Sequence, residues 1–181
     1  MKTDEFIQKL QKDWTNLKPN VMNEALGKLE NEVIEINFSQ EKLSEIPKAC
    51  GVYLFQIYLN QGVDISEFKS EFEKNWKLDK SPRIIASRFK ITETGVWYPL
   101  YVGKAENLSN RINEHCFQDE KKPTFGLKLK HRKELLDKVK IGYSYYKIVD
   151  KDKSHKEAIQ FVITNLESAI RKELNPWIGK Q

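Results

Sequence analysis

Six side chains in this 181-residue sequence are of types that could act on an anionic ester: Tyr53, Tyr101, Lys104, Arg111, His115 and Glu167. Arg111 and His115 are four residues apart, so on a helix they share one face. Asn107 is the expected N-cap of that helix, which runs through Cys116 with Leu108 and Ile112 on its inner side. The free N–H groups of a helix start attract phosphate, and a guanidinium adds a two-pronged grip that an ammonium lacks. The chemistry such a set would serve is hydrolysis of a phosphodiester. That reaction needs an activated water, positive charge on the phosphoryl oxygens and stabilisation of the departing oxyanion. Taken alone, an Arg–His pair on an exposed helix face is common and usually inert.

Glu167 sits between Ile163 and Ile170 and next to Leu166, at the edge of an apolar stripe. A carboxylate so placed is either a rim residue paired with Arg171, four positions on, or a metal ligand in a cleft. Only one carboxylate belongs to the set. This argues against a two-metal arrangement and for a single Mg²⁺ (or Mn²⁺) with mostly water and phosphate ligands. Tyr53 and Tyr101 are the acid–base candidates. A free phenol, with pKa about 10, is a poor base unless nearby cations such as Lys104, Arg111 and a metal ion lower it. The alternative for both is strand packing with the hydroxyl at the surface, which is the expectation for Tyr58, Tyr143 and Tyr146.

The elements that must position these groups follow from periodicity and breakers. Phe6, Ile7, Leu10, Trp14 and Leu17 predict an amphipathic helix interrupted at Pro19, with a second short helix over 22–29. Ile34–Phe38 alternates as a strand would, and Gly51–Tyr58, rich in aromatic and β-branched residues, is a strand. Ser66–Leu78 is expected to be helical, Ile84–Ile91 and Val96–Trp97 to be strands, and Leu100–Val102 a short strand ending at Gly103. A loop over Gln118–Gly126, a basic helix after it ending near Lys140, a strand over Ile141–Ile148 and a long helix from Ser154 to just before Pro176 complete the order. The expected architecture is α+β: a small sheet of about three strands, antiparallel or mixed, flanked by helices.

Gly51-Val52-Tyr53 on one strand and Tyr101-Val102-Gly103 ending the next resemble the two tripeptides that name the GIY-YIG nucleases. Arg111 lies eight residues after Gly103, His115 four after that, and Glu167 on a later helix with Pro176 nine residues on; the family has its arginine, histidine and glutamate in this order. The resemblance covers residues 47–181, with an N-terminal helical extension over 1–46 and an insertion at about 59–98 where relatives have a short hairpin. It implies that Tyr53 activates the water, that Tyr101 holds the phosphate or water network, and that Glu167 binds the metal. The family's late asparagine falls near Gly179 here, and Asn175 is the available residue on the near side of Pro176.

Charge and composition supply the rest of the expectation. The net charge is +5, but the first 48 residues hold seven Lys against nine acids, and the remainder 24 Lys and Arg against 17 acids. Within Lys121–Lys140 eight basic residues stand against Glu134 and Asp137. Such a stripe suits a polyanion, or is simply a solvated face; Lys128, Lys130, His131, Arg132 and Asn175 are the candidates for nucleic-acid contact. Two cysteines far apart exclude a disulfide scaffold or zinc finger and fit a reducing cytoplasm. Asp4 and Glu5 precede any apolar run, the reverse of a secretory signal, and no stretch suits a membrane helix. The implied activity is metal-dependent cleavage of double-stranded DNA, of a compact restriction type, by a homodimer if both strands are cut. The alternatives are a nucleic-acid-binding module with weak or lost cleavage, and a structure-specific or RNA nuclease.

Overall fold

The computed structural model describes residues 3–76, 80–150 and 155–179. The fold is α+β, with a four-stranded antiparallel sheet in the order β1-β5-β2-β4 flanked by helices. Its strands are β1 (Ile34–Glu35), β2 (Ala49–Leu59), β4 (Trp97–Ala105) and β5 (Val139–Asp150). Of the strand expected over Ile34–Phe38 only the two-residue edge β1 forms, pairing Ile34 with Tyr143 and making the sheet four-stranded rather than three-stranded. No helix among the described residues is long and apolar enough to cross a membrane.

Alternation along the central strand β2 divides the core in two. Tyr53, Phe55 and Ile57 face one cluster with Leu108 and Ile112 of α3 (Leu108–Phe117). Val52 and Leu54 face the other, with Ala25 and Leu29 of α1 (Thr3–Asn31) and Leu166 and Ile170 of α5 (Lys156–Leu174). Because β2 is covered on both faces, its polar Gln56 is buried, and its amide donates to Leu29 O at 3.0 Å. Ser144 Oγ donates to the same carbonyl at 2.6 Å, so two sheet side chains satisfy an orphan acceptor near the end of α1.

Several elements depart from the expectation, each for a physical reason. Pro19 does not break α1, which is one 29-residue helix. An interior proline costs a hydrogen bond, but Trp14 on one side of it packs edge-on against Phe161 and Ala25 and Leu29 on the other are fully buried, so packing holds both halves in line. The two short strands expected around residues 96–102 are one strand, β4. Pro99 is tolerated inside it because β4 is a sheet edge and its pairing shifts register opposite Phe55 and Gln56. Of Ile84–Ile91, only Ile84 is in a strand, β3 (Arg83–Ile84), which pairs with β6 (Ile178–Gly179); Ala86–Arg88 is a 3-10 turn. The apolar side chains there pack singly rather than along a ladder.

The basic segment is also not a helix. It forms a 3-10 turn at Leu129–His131 and the single turn α4 (Lys133–Leu136), following Lys128 in a left-handed conformation at φ 53°. The insertion between β2 and β4 contributes α2 (Ile65–Asn75), whose buried Phe68 and Phe72 pack against Trp177, Phe72 also stacking on Trp76 beyond the helix end. The expected ends of two helices, at Leu78 and Ser154, lie outside the described residues.

Candidate active site

The two glycine–tyrosine tripeptides meet face to face. In the β2–β4 ladder Tyr53 lies opposite Gly103, and Phe55 opposite Tyr101. A β-carbon on Gly103 would come within 2.3 Å of Tyr53 Oη and 2.4 Å of Cζ, so the phenol ring lies over the bare α-carbon. Gly51 is needed for a different reason: a β-carbon there would sit 2.3 Å from Tyr146 O on β5. Tyr101, diagonal to Tyr53, has its ring centroid 6.3 Å away.

His115 completes this cluster from α3. Asn107 caps the helix as expected, accepting from Asn110 N at 3.1 Å. His115 is fully buried against Tyr53, Phe55 and Tyr101. Its Nε2 is 2.8 Å from Tyr53 Oη, and its Nδ1 accepts the Leu127 N–H at 3.0 Å. Burial, and then the Arg111 charge, hold its pKa well below the ordinary 6.5, so the ring is neutral. A neutral imidazole with Nδ1 accepting carries its proton on Nε2. His115 is therefore a donor to Tyr53 and has no lone pair to offer it. Burial pushes both phenols above their ordinary pKa, Arg111 opposing the rise in each case.

Arg111 is held from two sides. Its Nη1 donates to Glu114 Oε2 at 2.8 Å, and its Nη2 to Phe125 O at 2.9 Å. The segment Phe125–Leu127 thus fixes both the arginine, through a carbonyl, and the histidine, through an N–H. Lys104 Nζ on β4 donates to Thr164 Oγ1 of α5. Glu167, mostly buried, pairs through Oε1 with Arg171 Nη2, which is the alternative to the metal-ligand role. Tyr53, Tyr101, Lys104, Arg111 and Glu167 all line one cleft of about 690 Å³. Its far wall is the β3–β6 pair, with Arg83, Ile84 and Gly179.

The donor chemistry of this cleft bears on a metal ion. Among the described residues no group of three or more His, Cys, Asp and Glu is placed to hold one. A hard cation such as Mg²⁺ does not need such a cage: it takes one or two carboxylates and fills its shell with water and phosphate oxygens. Glu167 is the one carboxylate among the residues lining this cleft, and it is already paired with Arg171, so an ion arriving with a phosphate would have to share or displace that pair.

The remaining sequence candidates fall elsewhere. Lys128 and Arg132 are buried, not displayed on a basic face. Lys128 Nζ donates to Glu120 O and Lys122 O. Arg132 donates to Leu127 O at 2.8 Å and Trp76 O at 2.7 Å, and its guanidinium stacks 3.5 Å over the Trp76 ring. Burial lowers its pKa to about 9. A buried cation held by two carbonyls and an indole is structural, although its Nη2 has no hydrogen-bond partner. Lys130 is half-buried near the Phe117 ring, and His131 is exposed. Asn175 is outside the cleft: it ends α5 in a left-handed conformation at φ 48°, its N–H bonded to Arg171 O. Gly179 occupies the cleft wall instead.

Glu114, Arg83 and the backbone of Phe125 and Leu127 did not emerge from the sequence. Glu114 carries a signal, being three residues from Arg111 on the same helix. Arg83 carries none, since only the pairing of the insertion with the C-terminal strand brings it to the cleft. Compared with family models, curated proteins and solved structures, the chain has no match.

Proposed function

We propose that this chain is a metal-dependent endonuclease of the GIY-YIG type, hydrolysing phosphodiester bonds in double-stranded DNA. The observation that supports it is the convergence of Tyr53, Tyr101, Lys104, Arg111 and Glu167, from four separate elements, on one cleft. Arg111, braced by Glu114 and Phe125 O, offers the rest of its fork to a phosphate. Lys104 and Arg171 add positive charge on the opposite side, where a departing oxyanion would need it. Tyr53 is the group that takes the proton of the attacking water. The His115 Nε2–H donated to its oxygen stabilises the phenolate form, and the surrounding cations lower the cost of reaching it. With Nδ1 committed to Leu127, His115 is not the proton acceptor; Tyr53, which lines the cleft, gives up its own proton to cleft water before it can take one from the attacking water. Bound Mg²⁺ would neutralise charge on the phosphoryl oxygens, and Glu167 is the residue that would hold it.

A second reading is a nucleic-acid-binding module with weak or lost cleavage. It is favoured by Asn175 lying outside the cleft with Gly179 in its place. Incubating the protein with supercoiled plasmid and with genomic DNA, in Mg²⁺ and in EDTA, separates the two. The nuclease reading expects metal-dependent cleavage, with discrete bands if the enzyme is of restriction type. DNA binding without cleavage supports the second reading. Cleavage of RNA or branched DNA alone would replace the duplex substrate, and neither binding nor cleavage of any nucleic acid would overturn both.

A further inference from the structure

The N-terminal half of α1 carries an apolar stripe that the domain does not cover. Phe6, Ile7, Leu10 and Leu17 are 51%, 53%, 40% and 53% exposed, and Phe161 of α5, which touches Trp14, extends the patch. Large apolar side chains half in water over about three helical turns make a patch of roughly several hundred Å², a size that marks interfaces on soluble proteins. We propose that this stripe is a self-association surface, on which a second copy of the chain lays its own α1 in parallel.

The spacing names the geometry. Ile7, Leu10, Trp14 and Leu17 follow the 3-4-3 steps of a heptad seam, with Ile7 and Trp14 at a positions and Leu10 and Leu17 at d. In that frame Asp13 is at g and Lys18 at e, five residues later. A parallel pair brings the g residue of one helix to the following e residue of the other, so each copy's Asp13 meets the other's Lys18. Neither residue takes part in an ion pair among the described residues. An antiparallel seam over the same side chains would set Asp13 against its own copy, a like-charge contact. The flanking charge also argues against a membrane surface as the occupant. Asp4, Glu5 and Asp13 balance Lys9, Lys12 and Lys18, whereas membrane-surface helices are rich in Lys and Arg. Two such faces together bury on the order of 1,000 Å², about the threshold for a specific contact.

The test is light scattering on the purified full chain, with two designed disruptions and one cross-link. Wild type is expected to be dimeric, and Leu10→Glu combined with Leu17→Glu to be monomeric with an unchanged circular dichroism spectrum. Asp13→Lys should weaken the dimer at least tenfold, and Asp13→Lys with Lys18→Asp should restore it. Leu10→Cys should cross-link to itself on oxidation, as a d position does only in a parallel pair; the native Cys50 and Cys116 are buried. A wild-type monomer, a dimer that ignores the double glutamate variant, or a dimer whose Leu10→Cys thiols do not join would each overturn the proposal. None of these readouts depends on cleavage.

Discussion

Tyr53 stands directly across the β2–β4 ladder from Gly103, and its hydroxyl occupies the space where a β-carbon of residue 103 would be, 2.3 Å away. The glycine is a seat for the phenol. Gly103→Ala should therefore displace Tyr53 rather than merely stiffen the strand. The expected cost is about 1–3 kcal/mol in stability from overpacking, and about a hundredfold in cleavage rate from a shift of the order of 1 Å at a reacting group. Thermal melts and single-turnover rates measure the two separately. Normal rates in a stable Gly103→Ala protein would remove Tyr53 from the reaction.

His115 ties stability to pH. The fold keeps its ring neutral well below pH 6.5, whereas the unfolded chain protonates it near that value. Below pH about 6.5 only the unfolded state binds this proton, so acidification favours unfolding by about 1.4 kcal/mol per pH unit. Wild type should lose more stability than His115→Asn as pH falls from about 7.5 to about 5. Nitrogen-15 NMR should show the proton on Nε2 throughout. A ring that titrates near 6.5 in the folded protein would contradict the assignment, because the Leu127 N–H could then no longer be bonded to Nδ1.

Arg111→Lys replaces a braced fork by a single ammonium. It should lower kcat about a hundredfold, the loss typical of removing one transition-state donor, with DNA affinity changed far less. Glu114→Gln should act in the same direction but several-fold only, since it loosens the brace and leaves the guanidinium. Near-normal kinetics for Arg111→Lys would show that the fork does not contact the phosphate.

Arg132 shows how far composition misled. Arg132→Met removes two hydrogen bonds to carbonyls and a cation–π contact, and should destabilise the fold by about 2–4 kcal/mol. The salt dependence of DNA binding should stay the same, because a buried side chain releases no counterions from DNA. A flattened salt slope with unchanged melting would return Arg132 to the nucleic-acid surface.

The parts legible in the sequence are those governed by local rules. The Asn107 cap, the i, i+4 face of Arg111 and His115, and the Glu167–Arg171 pair need only helical geometry. The long strand through Gly51–Tyr58 needs only its run of β-branched and aromatic residues. What could not be read depends on distant partners. Pro19 breaks helices on average, but packing on both sides of it keeps α1 whole. The charge of Lys128 and Arg132 predicted exposure, and their burial depends on carbonyls at Glu120, Lys122, Leu127 and Trp76 that only the fold brings near. The His115 tautomer depends on one backbone N–H twelve residues away. Arg83 reaches the cleft through a two-residue ladder with the C-terminal strand.

Glu167→Ala is the most direct measurement. Cleavage of plasmid DNA in Mg²⁺ is followed under single-turnover conditions beside binding of the same DNA in EDTA, for wild type and variant. A metal-dependent nuclease built on this cleft predicts metal-dependent cleavage by wild type, loss of cleavage by at least about a thousandfold in Glu167→Ala, and equal binding by both proteins. Cleavage that persists in Glu167→Ala at the wild-type rate would contradict it.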